Sequence, residues 1–137
     1  MKLKTLDKLK LEGKTVLLRA DLNSDVIDGK VLHSERIKKS SETISELKKK
    51  KAKVIVIAHQ GKPGKRDFLS LKQHSKFLKK HVRIKFVEDI TGKKAIKKIE
   101  KLKPGKAILL ENIRFEEDEF KPEKKNNELL KIVKKAD

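Results

Sequence analysis

The sequence predicts an α/β fold built on a parallel sheet, and two observations carry that prediction. Four short segments, "KTVLLRA", "KVIVIA", "RIKFVE" and "KAILLE", are apolar at successive rather than alternate positions, as in strands buried on both faces. The segments between them repeat apolar residues every three or four positions, the period of an amphipathic helix. A sheet covered by helices on two sides satisfies both patterns.

The elements follow in order. Residues 14–20 read as the first strand, and a turn around "DGK" at 28–30 precedes Ser34, a good helix N-cap. The helix after it runs to about Lys50 with Ile37, Ser41, Ile44 and Leu47 on its inner face. Residues 53–58 form the second strand, and a helix from Ser70 to Lys80 turns Leu71, His74 or Ser75, and Leu78 inward. Residues 83–88 give the third strand, and "TGKKAIKKIEKLK" the third helix, burying Ala95, Ile99 and Leu102. Pro104 and Gly105 mark the step into the fourth strand at 106–111, and a last helix is expected from Asn126 with Leu129, Leu130 and Val133 inside.

Composition narrows the function. A chain of 137 residues is one domain's worth, and the absence of cysteine removes disulfides and thiolate metal sites. Its apolar runs are far shorter than the roughly 20 residues that span a bilayer, and the N-terminus lacks a signal-peptide stretch, so a soluble cytoplasmic protein with no membrane partner is expected. The net charge of +18 attracts phosphate backbones nonspecifically. The lysines, however, are spread along the chain among glutamates, and five phenylalanines are the only aromatic residues of the Phe, Tyr and Trp set. No specific nucleic-acid partner is expected from that pattern.

Ligands of open parallel sheets bind beyond the carboxyl ends of the strands. Three such ends carry polar and cationic groups: "RADLN" with Arg19, Asp21 and Asn23; "HQGKPG" with His59, Gly61 and Lys62; "ENIRF" with Glu111, Asn112 and Arg114. Taken singly, each has a plainer explanation, His59 as a strand-end polar residue and Asp21 and Asn23 as turn formers. Arg36 is less ordinary, because a cation at a helix N-terminus opposes the dipole unless an anion arrives. Arginine is also rare here, five of 38 basic residues, and its planar fork suits carboxylate and phosphate. "GKPGK" lacks the spacing of the common phosphate loops, so the residues point to a pocket for a small anion rather than to a nucleotide site.

The run from "KTVLLRADLNSDVIDGK" through "KVIVIAHQGKPGKRDF" and "SLKQHSKFL" to "AILLENIRFEEDE" closely resembles the N-terminal domain of phosphoglycerate kinases, and "AHQGKPG" with "SLKQHS" resembles the archaeal branch most. The resemblance covers essentially the whole chain. It implies a three-layer, Rossmann-like α/β domain, with residues 1–137 as a partial N-terminal 3-phosphoglycerate-binding domain and the C-terminal nucleotide-binding domain absent. It further implies a phosphotransferase of glycolysis, exchanging a phosphoryl group between 1,3-bisphosphoglycerate and ADP to give 3-phosphoglycerate and ATP. By motif, Asp21 and Asn23 would hold the hydroxyl and carboxylate end of the glycerate, His59 and Arg114 would join its basic patch, and Arg36 would act on the phosphoryl group in flight. Lys62 stands where the family usually has arginine, keeping the charge without the fork. Mg-ATP or Mg-ADP would belong to the complete enzyme, with none bound by this chain alone. The fragment is expected to be inactive and less stable without a complementary C-terminal chain. The alternative is a noncatalytic module retained for anion or nucleic-acid binding.

Overall fold

The computed structural model describes residues 9–116 and 135–137. Its sheet contains β1 (Thr15–Arg19), β4 (Lys53–Ile57), β6 (Ala107–Leu110) and β5 (Lys85–Val87), in that spatial order and all parallel. The chain thus passes over one position between β4 and β5 and fills it last with β6. A separate hairpin, β2 (Val26–Ile27) and β3 (Lys30–Val31), follows β1. Helices α1 (Glu35–Lys49), α2 (Lys72–Leu78) and α3 (Lys93–Glu100) complete the described elements.

The all-apolar strands are explained by what lies on each side of them. In β4, Val54 and Val56 point to one face and Ile55 to the other, as the two-residue period requires. Val54, Val56, Ala107 and Leu109 pack with Ile37, Ile44 and Leu47 of α1 and with Leu71 and Leu78 at α2. Ile55, Ile108 and Leu110 pack with Ala95 and Ile99 of α3 and with Leu102. Two helices on one face and one on the other make three layers, as the sequence implies.

The first helix forms as expected. Ser34 caps it, its hydroxyl accepting a bond from the Ile37 amide, and Ile37, Ser41, Ile44 and Leu47 are its buried residues. Three other boundaries contract, the first two for reasons far away in sequence and the third for a local one. Expected from Ser70 to Lys80, α2 begins at Lys72 because Ser70 Oγ and the Leu71 amide both donate to the Glu111 carboxylate, at 2.7 and 2.8 Å. Expected over 83–88, β5 keeps only Lys85–Val87; it lies at the sheet edge, and the Arg83 carbonyl is taken by Lys48 Nζ. Expected over 91–103, α3 keeps Lys93–Glu100, with the Asp89 carboxylate accepting from the Gly92 and Ala95 amides at its start. The helix expected from Asn126, with Leu129, Leu130 and Val133, lies outside the described residues.

The hairpin is an addition to the sequence reading. Asp28 and Gly29 both have positive φ, 50° and 76°, which suits the tight turn that joins twisted antiparallel strands. Gln73 of α2 fastens it, accepting from the Val31 amide at 2.8 Å and donating to the Gly29 carbonyl at 3.0 Å.

One buried group makes stability depend on pH. His74 is fully buried, with its Nε2 2.8 Å from Gln60 Oε1 and no hydrogen-bond partner at Nδ1 among the described residues. Burial lowers its pKa from 6.5 to about 4, because the charged ring would lose its hydration. Its folded pKa lies below its unfolded one, so the unfolded chain binds the extra proton first. Its contribution is therefore intact above pH 6.5 and is lost as pH falls towards about 4. Between pH 7 and pH 5 the expected loss is on the order of 2 kcal/mol. Urea unfolding at those two values checks it, and His74→Gln should flatten the difference; an equal fall in the variant would assign the effect to other groups.

Candidate functional site

The carboxyl ends of β1, β4 and β6 are joined by continued backbone bonding beyond the strands. The Ala20 amide donates to the Ile57 carbonyl and the Ile113 amide to the Ala58 carbonyl, both at 2.9 Å. Fully buried Leu22 anchors the segment after β1, leaving Asp21 exposed and Asn23 half-buried beside it. The Asn23 side-chain oxygen accepts from the Gly61 amide at 2.8 Å. Its oxygen is thereby oriented inward, and the amide nitrogen, a donor, is the group suited to meet an anion.

Gly61 is the meeting point. Its φ is +69°, and a Cβ there would lie 2.3 Å from the Asp67 carbonyl oxygen, so the loop closes only around glycine. Its amide is held by Asn23, and its carbonyl accepts from an Arg114 guanidinium nitrogen at 3.0 Å. Arg114 reaches it from a single 3-10 turn, Ile113–Phe115, capped by Asn112, whose side-chain oxygen accepts from the Arg114 amide at 3.0 Å. The three segments that the sequence brings to one edge are thus bonded through one residue.

Arg36 comes to the same edge from the first turn of α1. Its guanidinium donates to the Asn23 carbonyl at 3.2 Å and lies 3.6 Å from the Asp21 carboxylate. Both side chains are more than half exposed, so this pair is held by positioning more than by energy. The Asp21 charge answers the cation that the helix dipole disfavours. His59, half-buried, directly precedes Gln60 and Gly61, while Lys62 follows them in an exposed turn through Lys65. Of the expected residues, Asp21, Asn23, Arg36 and Arg114 are thus linked by bonds running through Gly61 and Asn23. His59 and Lys62 are placed beside them by chain position.

A buried polar frame lies behind this edge, made of Glu111 and Asn112, which the sequence brings to a strand end without assigning them a role, and of Gln60, which it does not single out. Gln60, completely buried, accepts from the Ser24 amide at 2.9 Å and donates to the Ser24 carbonyl at 3.0 Å, fixing the backbone next to Asn23. Asn112, equally buried, donates to the carbonyls of Gln60 and Leu69 at 2.9 and 2.8 Å. Glu111 accepts from the amides of Leu71 and Asn112 and from Ser70 Oγ. In the sequence, Glu111 and Asn112 stand among the strand-end polar groups and His74 on the inner stripe of its helix, whereas Gln60 carries no signal of its own. The result is an edge bearing cations and amide donors on a stiff support, suited to binding an anion and neutralising its charge. Among the described residues, no group of three His, Cys, Asp or Glu side chains is placed to hold a metal ion.

Comparison with known proteins agrees with this fold. The profile of the phosphoglycerate kinase family matches residues 6–136. The phosphoglycerate kinase of Methanopyrus kandleri is 47% identical over 116 residues, an overlap of 84% of this chain and 29% of that protein. That of Sulfurisphaera tokodaii is 50% identical over 114 residues, covering 80% and 28%. The crystal structure of phosphoglycerate kinase from Pyrococcus horikoshii superposes with a TM-score of 0.83 at 37% identity, covering 96% of this chain and 34% of that one. The chain therefore spans less than a third of the length of the curated relatives it matches.

Proposed function

This chain belongs to the phosphoglycerate kinase family, and on that premise we propose that it supplies the phosphoglycerate side of phosphoryl transfer between 1,3-bisphosphoglycerate and ADP. The observation that carries the reading is the Gly61 backbone, its amide held by Asn23 and its carbonyl by Arg114. It sets a hydrogen-bonding side chain and a guanidinium on one rigid support, with Arg36 tied to the same backbone.

The roles follow from the groups present. Asn23 and Asp21 orient the hydroxyl and carboxylate end of the glycerate, with Asn23 presenting its amide nitrogen. Arg114, His59 and Lys62 neutralise the distal phosphate. Arg36 answers the charge that builds on the equatorial oxygens of the transferring group, where positioning and neutralisation contribute more than covalent chemistry. To do so it exchanges its 3.6 Å contact with Asp21 for the phosphoryl oxygens. Magnesium and nucleotide enter as substrate partners in this reading, with no step assigned to them. It also places the protein as an ATP-forming enzyme of archaeal type in the cytoplasm; among the described residues no helix is long and apolar enough to cross a membrane.

Calorimetric titration with 3-phosphoglycerate tests the proposal. Saturable binding, weakened by Asn23→Ala and lost into nonspecific background in Arg36→Ala/Arg114→Ala, is expected; binding indifferent to these changes would end it. Lys62→Arg is expected to tighten binding by about 0.5–1.5 kcal/mol, roughly one hydrogen bond gained by the fork. Weaker binding would show that the loop is shaped around lysine. In a coupled assay, residues 1–137 alone are expected to form no ATP, since transfer requires a nucleotide held in line with the acceptor; turnover by the chain alone would refute this division of labour.

A further inference from the structure

The opposite edge of the sheet carries a second concentration of positive charge. At the amino ends of β5 and β6 a concavity of about 370 Å³ is lined by Lys48, Arg83, Lys85, Lys98, Lys101 and Lys106, among others, over a floor that includes Ile84, Leu102 and Ile108. Among the described residues, no carboxylate lines it. Two other concavities do include carboxylates, the one along α1 Glu42 and Glu46 and the one along α3 Glu100, while a neighbouring one that shares Arg83 and Ile84 also has none among the described residues but carries fewer cations. Lysines cluster near helix C-termini to answer the dipole, which accounts for Lys48 and Lys98. It does not account for Arg83, Lys85 and Lys106, which stand at the starts of strands.

The cations also strain one another. Lys98 is pushed below its ordinary pKa, first by the close approach of the Lys85 side chain and then by the charge of that residue. Lys48 is lowered by its own burial and by the charges of Lys106 and Arg83. Such repulsion is relieved when an anion carrying several charges settles among the ammonium groups.

We infer that this concavity is a binding site for a small polyphosphate, an anion with three or more charges on contiguous phosphate groups, distinct from the edge that holds Gly61. Its size suits a molecule rather than a single ion. Its apolar floor suits one with an organic body, while the residues lining it include no aromatic side chain on which bases of a nucleic acid would stack. The site depends on these lining residues alone and stands or falls apart from the phosphoglycerate reading.

The test uses the purified chain with inorganic tripolyphosphate as probe and ATP as the arm that carries an organic body, at about 0.15 M salt, where bulk attraction is screened beyond roughly 8 Å. Lys85→Glu/Lys98→Glu is expected to weaken tripolyphosphate binding at least tenfold, and Lys38→Glu/Lys39→Glu, with the same change of charge, less than threefold. Equal losses would reduce the effect to bulk charge and overturn the site. A loss confined to Arg36→Ala/Arg114→Ala would move the anion to the other edge and overturn it as well. ATP binding tighter than tripolyphosphate, and lost in the same variant, assigns the organic body to the apolar floor; equal affinities assign the site to the phosphate chain alone. Amine acylation of the unaltered chain gives an independent reading: tripolyphosphate should protect Lys48, Lys85, Lys98 and Lys106 selectively, and uniform protection of lysines would refute the proposal. A single-stranded RNA oligonucleotide that binds more tightly per phosphate and protects the same lysines would replace the small polyphosphate by a nucleic acid.

Discussion

Gly61→Ala is expected to cost the fold roughly 2–5 kcal/mol, a large share of the 5–15 kcal/mol typical of a domain. Two terms add. The left-handed backbone at φ +69° costs an L-residue about 1–2 kcal/mol. The added Cβ would also stand 2.3 Å from the Asp67 carbonyl oxygen and 2.4 Å from its carbon, and because these are backbone atoms the loop must shift, at about 1–3 kcal/mol more. Gly64→Ala separates the two terms. Gly64 has a similar φ of +82°, but among the described residues no atom would lie within 4 Å of a Cβ added there, so only the backbone term applies. Urea unfolding of both variants is the measurement. Equal losses would mean that the Asp67 contact yields freely, and that Gly61 is chosen for its φ alone.

How much of this was legible in the sequence depends on where each element finds its partners. Ser34 and the stripe Ile37, Ser41, Ile44 and Leu47 are local, and the sequence places them correctly. The start of α2 is set by Glu111, forty residues away, and the short β5 by its edge position and by Lys48. No local pattern encodes those. The hairpin strands are two residues each, too short to show alternation, so only their turn is visible.

The site divides in the same way. Asp21, Asn23, His59 and Arg114 are candidates because strand ends of a parallel sheet converge at one edge, a rule that needs only the order of elements, and Arg36 because a cation at a helix start opposes the dipole. Gln60, Asn112 and Glu111 are the frame that makes the edge rigid, and they are polar residues at buried positions. Their burial is tolerable only because each meets partners from other segments, Gln60 with Ser24, Asn112 with Leu69, Glu111 with Leu71. Such satisfaction exists in three dimensions and leaves no period in one.

Arg114 is where frame and site meet, and its replacement is the second change of large expected effect. The side chain is half-buried and spends one guanidinium nitrogen on the Gly61 carbonyl, while its amide is held by Asn112. A planar fork can brace the loop with one nitrogen and bond a phosphate with another, whereas an ammonium places all three of its donors on one atom and lacks the fork's reach between two separated acceptors. Arg114→Ala should therefore weaken 3-phosphoglycerate binding by about 1.5–3 kcal/mol, the range for a charged hydrogen bond, and should lower stability by about 1 kcal/mol through the lost bond to Gly61. Arg114→Lys discriminates the two accounts. If charge alone matters, lysine keeps most of the affinity; if the fork bridges loop and ligand, lysine loses about as much as alanine while the net charge is unchanged. The Gly61 contact favours the second outcome. Calorimetry of the wild type and both variants, with urea unfolding to register the loop, decides it: full affinity in Arg114→Lys would reduce Arg114 to one more positive charge at the edge of the sheet.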